Sequence, residues 1–190
     1  MWYAAALAFL CVLLADSAAT ADTTVDRGVG GFVLLHELKI GALGHDVPYM
    51  WSGFNKEPYN VDINAELQFA PIVSFWGGSL HPVVGGTFNF DGYTSKAYAS
   101  LRWYREFANA TYFGVGLGVA VHDGETFTAD PNFKQLGRRW LFHDSFEYGI
   151  RYDRNHSISI YYEHISNAST AAKNQGLDAI GLRYGYRFGG

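Results

Sequence analysis

The stretch Tyr161-Tyr-Glu-His-Ile-Ser-Asn-Ala168, continued by Gly176-Leu-Asp-Ala-Ile-Gly-Leu-Arg-Tyr-Gly-Tyr-Arg-Phe188, decides the fold of this chain. Both runs alternate apolar and polar side chains, and a short polar connection from Ser169 to Gln175 separates them. Such alternation on both sides of a turn predicts two antiparallel strands joined as a hairpin. Because successive side chains on a strand point to opposite faces, parity alone assigns each residue to a face.

Three chemically active residues fall on the apolar face of this hairpin. His164 and Ser166 share a face with Ile158, and Asp178 shares a face with Ile180. If the hairpin pairs about its midpoint, Ser166 lies opposite Asp178 and His164 lies diagonally from it, with Cβ atoms about 5 to 8 Å apart. In a relay of that kind, His164 takes the Ser166 proton and Asp178 orients the imidazole. We therefore expect these three residues to be catalytic.

The strand pattern extends through most of the chain. Six further alternating segments cover residues 34–43, 61–69, 82–89, 96–104, 113–121 and 141–152. With the hairpin they make eight strands, mostly of about 8 to 12 residues, the length that a tilted membrane-spanning strand requires. No helical period follows residue 21. We predict an all-β chain in which residues 22–190 form one domain, an eight-stranded antiparallel outer-membrane β-barrel.

The charged side chains indicate which face of the sheet is inside. An eight-stranded barrel is filled by side chains and has no open channel. Its predicted polar interior contains both signs of charge: Glu37, Lys39, Asp62, Glu66, Arg102, Glu147, Arg151, Glu163, Arg183 and Arg187. A row of Gly114, Gly116 and Gly118 favours a crowded interior of narrow radius. A soluble β-barrel would put the apolar face inside instead, and alternation alone leaves that alternative open.

The N-terminus has the features of a secretory signal. Residues 4–15 are apolar, and Ala19-Thr-Ala21 is a small-x-small cleavage site, so residues 1–21 are predicted to be a signal peptide. The one cysteine, Cys11, lies within it, which leaves the mature chain without a disulfide or a cysteine-ligated metal. A formal charge of -4 without a basic run gives no sign of nucleic-acid binding.

The hairpin also carries a family resemblance. His164-x-Ser166-Asn167-Ala168, then Asn174-x-Gly176-Leu177 and an acid at 178, resembles the C-terminal signature of the lipid A 3-O-deacylase family. The resemblance implies an outer-membrane barrel of a Gram-negative bacterium that hydrolyses an ester of lipid A. It maps the base onto His164, the nucleophile onto Ser166 and the acid onto Asp178, and it maps oxyanion support onto Asn167 and Asn174.

The chain departs from the family pattern at two positions. The family commonly has Glu where Asp178 stands, which is one methylene longer, and often has Gly where Ser169 stands. These differences affect the geometry of the relay and the turn that follows Ser166.

Topology locates the predicted site relative to the membrane. With an even number of strands both termini lie in the periplasm, so the last hairpin connection lies outside the cell. The three residues would then face the outer leaflet, where lipid A resides.

We expect lipid A or lipopolysaccharide as substrate, with no cofactor and no metal, and a homodimer is an assembly that the sequence leaves open. The alternative is a non-catalytic barrel that acts as an adhesin or structural protein through its long loops.

Overall fold

The computed structural model describes residues 34–189, and all of its regular structure is β-sheet. The predicted signal peptide, residues 1–21, lies outside the described residues. The strands are β1 Leu35–Gly44, β2 Val61–Phe69, β3 Val73–Phe75, β4 Gly78–Asn89, β5 Lys96–Glu106, β6 Thr111–His122, β7 Trp140–Arg151, β8 His156–Ser166 and β9 Leu177–Arg187.

Eight of these strands close into an antiparallel barrel. Each strand pairs with its neighbour along the chain, β1 pairs with β9, and β2 pairs with β4, so that the sheet has no free edge among the eight. The short β3 pairs only with the start of β4, so that the turn between β2 and β4 ends in a small hairpin. The all-β, eight-stranded barrel predicted from the alternating segments is therefore confirmed.

Two details of the predicted strands were wrong. The third barrel strand was predicted to begin at residue 82, but β4 begins at Gly78, because residues 73–80 continue the ladder as a small hairpin with β3. The last hairpin does not place Ser166 opposite Asp178; His164 is the residue opposite Asp178. Pairing stops at Ile165 and Leu177, since the preceding Gly176 has a φ of 63° that turns the chain out of the ladder.

Charged side chains fill the barrel interior, as the sequence predicted. Glu147 accepts hydrogen bonds at 2.7 and 2.8 Å from the Lys39 ammonium, and Arg183 Nη2 lies 2.7 Å from Glu147 Oε2. Arg102 pairs with Glu66. Buried charges of opposite sign in direct contact offset part of the large cost of removing each from water. Of the predicted set, Arg187 is only partly buried and the following are buried: Glu37, Lys39, Asp62, Glu66, Arg102, Glu147, Arg151, Glu163 and Arg183.

The outer wall is apolar. Its exposed side chains include Ile40, Ile63, Leu101, Leu117, Val119, Phe142, Tyr148, Ile158, Ile160 and Leu182. This distribution is the reverse of a water-soluble domain, so the soluble-barrel alternative is wrong. The predicted glycine row makes room inside: a Cβ on Gly114 would lie 3.1 Å from Arg102 Cδ.

The two ends of the barrel differ in the length of their connections. Residues 45–60, 123–139 and 167–176 form long loops at one end, whereas 107–110 and 152–155 are short turns at the other. Long loops mark the extracellular end of an outer-membrane barrel. The site residues lie at this end.

Within residues 34–189, no helix has the length and apolar character needed to cross a membrane.

Candidate active site

His164 and Asp178 form a hydrogen-bonded pair on the outer wall of the barrel. They are direct partners across β8 and β9, and the Nδ1 atom of His164 is 2.6 Å from Oδ1 of Asp178. Further along the same outward-facing rows of β8 and β9 lie Ile160 and Leu182, which are exposed. A carboxylate next to Nδ1 holds the proton on that nitrogen, which leaves Nε2 as the acceptor.

Ser166 lies on the same face of β8 as His164, at the last position of the strand. Residues two apart on a strand are about 6.6 Å apart along its axis, a distance that the imidazole of His164 can largely span. Ser166 is half-buried, and the hydrogen bonds of residues 34–189 do not include one between its hydroxyl and His164. The structure thus brings two of the three predicted residues into contact and places the third beside them.

The loop at residues 45–60 covers the carboxylate. Although Asp178 belongs by parity to the outer wall, it is fully buried; Ser52 is hydrogen-bonded to its carboxylate and the Val47 N–H to its backbone carbonyl. Ser52 donates to Oδ2 through its backbone N–H at 2.6 Å and through its hydroxyl at 2.5 Å. The Tyr162 hydroxyl donates to Oδ1 at 2.7 Å. With His164, four donors surround this carboxylate, which favours its ionised form.

The imidazole of His164 is held between a tryptophan and a glycine. The Trp51 ring is stacked on it, with centroids 4.9 Å apart and planes 12° from parallel. On Gly176, a Cβ would lie 2.9 Å from Cε1 of His164, so only glycine leaves the ring room at that point. These contacts fix the plane of the ring before any substrate binds.

Asn167 and Asn174 shape the turn that follows Ser166. The Asn167 amide donates to the carbonyls of Leu136 at 2.9 Å and Lys173 at 2.5 Å, and its backbone N–H donates to Asn174 Oδ1 at 2.8 Å. Among residues 34–189, the hydrogen bond that the Asn174 amide nitrogen makes is a long one, 3.4 Å to the Ser169 hydroxyl. Both predicted residues therefore lie beside the site, and Asn174 has the freer donor.

The turn holds its backbone in an uncommon conformation. Ala168 has a φ of 51° and Ser169 a φ of 63°, both in the left-handed region that favours glycine. Consecutive residues in such conformations can direct their N–H groups toward one side, a geometry suited to an anion.

Sequence reasoning did not identify Ser52, Trp51 or Tyr162 as parts of the site. Tyr162 lies on the same face as His164, so strand parity could have suggested it. Ser52 and Trp51 belong to an irregular loop distant in the sequence, where no periodic pattern exists.

In the part of the chain that the structure describes, no three His, Cys, Asp or Glu side chains converge as a group that could hold a metal ion.

Fold and site together define the class: an eight-stranded barrel of outer-membrane type, with a histidine–carboxylate pair on its lipid-facing wall. The family model described as "Lipid A 3-O-deacylase (PagL)" matches residues 41–187. Because that match covers most of the chain, the protein belongs to the lipid A 3-O-deacylase family. The family resemblance, the barrel class, the deacylase function it implied and the outer-membrane setting are confirmed.

Individual relatives agree with this assignment. The lipid A deacylase PagL of Bordetella bronchiseptica is 27% identical over 187 residues, which cover 96% of this chain and 92% of that protein. The crystal structure of the outer membrane enzyme PagL superposes with a TM-score of 0.61 at 20% identity, over 78% of this chain and 98% of that one. Neisserial surface protein A gives a TM-score of 0.51 at 7% identity, over 84% of this chain and 100% of the other. At these identities the two structures establish the fold alone.

Proposed function

We propose that this outer-membrane enzyme removes the 3-position acyl chain of lipid A by a serine-esterase reaction. Ser166 is the nucleophile, His164 is the general base and then the general acid, and Asp178 orients His164. The observation that carries the assignment is the 2.6 Å hydrogen bond between His164 Nδ1 and Asp178 Oδ1 on the wall that faces lipid. A polar pair on an apolar outer wall is costly, and its presence there supports a functional role.

The reaction has two halves. His164 Nε2 takes the Ser166 proton as Oγ attacks the ester carbonyl, and a tetrahedral oxyanion forms. On its collapse His164 returns the proton to the sugar oxygen, which leaves as the alcohol, and the acyl group stays on Ser166. Water, activated by the same imidazole, then releases the fatty acid and restores the serine.

Oxyanion support is assigned to the turn after Ser166. The candidate donors are the Asn174 amide and the backbone N–H groups of Ala168 and Ser169, whose left-handed conformation suits an anion. Asn167 supports these donors indirectly, because its side chain ties the turn to Leu136 and Lys173.

Because the site lies at the outer-leaflet end of the barrel, lipid A can reach it without leaving the membrane. The ester of a lipid A molecule beside β8 and β9 is at the height of the loops, and its acyl chains lie along the exposed Ile160 and Leu182 side chains. Partial exclusion of water there strengthens both the relay and the oxyanion contacts.

The test is a comparison of wild type with Ser166→Ala in a Gram-negative host whose lipid A carries the 3-position chain. Mass spectrometry should detect lipid A that has lost one hydroxyacyl chain with wild type and unmodified lipid A with the variant. Ser95→Ala, a serine of another loop at the same end of the barrel, is the matched control and should deacylate normally. Heat-modifiable gel mobility verifies folding. Normal deacylation by a folded Ser166→Ala barrel would overturn the assignment.

A further inference from the structure

The loop at residues 45–60 contacts both members of the His164–Asp178 pair with consecutive residues. Trp51 stacks on the His164 ring, and Ser52 donates twice to Asp178 Oδ2. The loop is also tied to the backbone there, since the Val47 N–H donates to the Asp178 carbonyl at 3.1 Å. The acid is thus held from outside the barrel by a segment that belongs to another hairpin.

A buried lysine sets the direction of the Ser52 hydrogen bond. Lys134 Nζ, in the 123–139 loop, donates to Ser52 Oγ at 3.1 Å. An ammonium has donors and no acceptor, so the Ser52 oxygen must accept from it. Its own proton is then free for Asp178 Oδ2, 2.5 Å away, whereas the Phe54 carbonyl is the poorer alternative at 3.4 Å.

Lys134 is itself fixed. Its ammonium is fully buried, lies 2.7 Å from Asp46 Oδ1, donates to the Phe54 carbonyl at 2.7 Å, and lies over the Phe54 ring at 4.7 Å from its centroid. A single hydroxyl therefore separates a buried, immobilised positive charge from the carboxylate of the pair. No part of the relay described above requires such an arrangement.

We infer that Ser52 is a positioning residue for the deacylation reaction and that Lys134 orients it. Two donors on Oδ2 set the carboxylate plane, so that Oδ1 faces His164 Nδ1. The inference rests on the proposed role of Asp178. The Lys134 ammonium, held by Asp46, makes the Ser52 oxygen an acceptor and leaves the Ser52 proton for the carboxylate.

The first test measures release of hydroxy fatty acid from detergent-dispersed lipid A by the full-length barrel. Ser52→Ala should lower kcat by about 10- to 100-fold, the range expected for a hydrogen bond to a charged group, with little change in KM. Ser52→Thr keeps the hydroxyl and should restore most of the rate. Lys134→Met should resemble Ser52→Ala, and Lys134→Arg should be the milder change. Lys56→Met removes a positive charge from the 45–60 loop, which also contains Ser52. It is the control variant, and its activity should match that of wild type.

The split between kcat and KM separates positioning from loss of loop structure. A displaced loop would also disturb substrate binding and raise KM, and Ser52→Thr would not restore the rate. Recovery of kcat in Ser52→Thr at an unchanged KM is the result expected of a positioning residue.

A double substitution gives the decisive comparison. If Ser52 acts through Asp178, then Ser52→Ala should cost almost nothing in an Asp178→Asn background, whereas independent effects would multiply. Multiplying effects, no recovery of kcat in Ser52→Thr, or an undiminished kcat in folded Ser52→Ala and Lys134→Met would each overturn the inference. Failure of the proposed function is distinct, because it would show as no hydrolysis by wild type or full hydrolysis by Ser166→Ala.

Discussion

Asp178 lies directly opposite His164 in the β8–β9 ladder, and 2.6 Å separates Asp178 Oδ1 from His164 Nδ1. His164 has a second carboxylate neighbour, Asp144, which is its partner across β7 and β8. No hydrogen bond joins Asp144 to the imidazole among the described residues. Geometry therefore distinguishes the two acids, and substitution of each can test the distinction.

Asp178→Asn should remove nearly all activity, whereas Asp144→Asn should keep it within about tenfold of wild type. The amide leaves the imidazole without the charge that stabilises imidazolium and favours the wrong tautomer, a change associated with losses of about 10⁴ in kcat. The measurement is kcat for fatty-acid release at several pH values. Equal losses in the two variants would contradict the assignment of Asp178 as the orienting acid.

Trp51→Ala should lower the deacylation rate several-fold more than Tyr49→Ala. Trp51 stacks on His164 and shields it, while the neighbouring Tyr49 is 90% exposed. Loss of the indole frees the imidazole ring and admits water beside it, which weakens the electrostatic interactions of the pair. Trp51→Phe keeps a stacking surface and should be intermediate.

The relevant measurement is the rate on lipid A, with heat-modifiable mobility as a folding control. If Trp51→Ala and Tyr49→Ala had the same rate, the stacked ring would have no part in the reaction.

Glu147→Ala should destabilise the barrel far more than it disturbs the site. The side chain contacts Lys39, Arg102 and Arg183 in the interior, so its removal leaves cations buried without their partner. Breaking a buried ion pair in this way costs about 3 to 5 kcal/mol. Urea-induced unfolding in detergent or lipid vesicles measures the change. Glu125→Ala, at an exposed loop position, should leave the midpoint unchanged, and an equal midpoint for both variants would refute the prediction.

Attachment of the 45–60 loop should weaken at alkaline pH. His45 lies 2.8 Å from both Asp62 and Glu57. Burial lowers its pKa, but the hydrogen bonds to Asp62 and Glu57 outweigh burial and raise the pKa above its ordinary 6.5. A raised pKa means that this contribution to stability is fully present below 6.5 and is lost as pH rises through the folded value.

Hydrogen-exchange protection factors of residues 45–60, which correct for the intrinsic effect of pH, provide the measurement. Protection should fall as pH is raised above 6.5 in wild type, and the pH dependence should vanish in His45→Gln. Protection of residues 45–60 that rises with pH in wild type would contradict the prediction. The pKa of Glu57 is lowered, since its bonds to His45 and Thr94 outweigh burial, so it contributes to a separate loss only on acidification.

Strand parity predicted more than the fold. It put His164, Ser166 and Asp178 on one face and the interior charges on the other, because side-chain direction on a strand depends only on position along it. The register of the β8–β9 hairpin was predicted less well. Pairing about the midpoint was wrong because the chain leaves the ladder at Gly176, just before Leu177, and no periodic pattern in the sequence marks where a strand ends in this way.

The contact of the 45–60 loop with Asp178 could not be predicted from the sequence for a different reason. Ser52 is 126 residues from Asp178 along the chain, in a loop with neither alternation nor a helical period. Its contact depends on how three irregular loops fold together, and the buried Lys134 and Asp46 are individually unremarkable residues. Such contacts follow from tertiary structure, which local patterns do not encode.

The pairing of β1 with β9 has a consequence for when the enzyme becomes active. The loop that supports the acid leaves from the end of β1, and the acid lies at the start of β9. The two meet only after the first and last strands have joined along the seam of the cylinder. A precursor still crossing the periplasm therefore lacks the two Ser52 donors to Asp178, and we expect full activity only once the chain has reached the leaflet that holds its substrate.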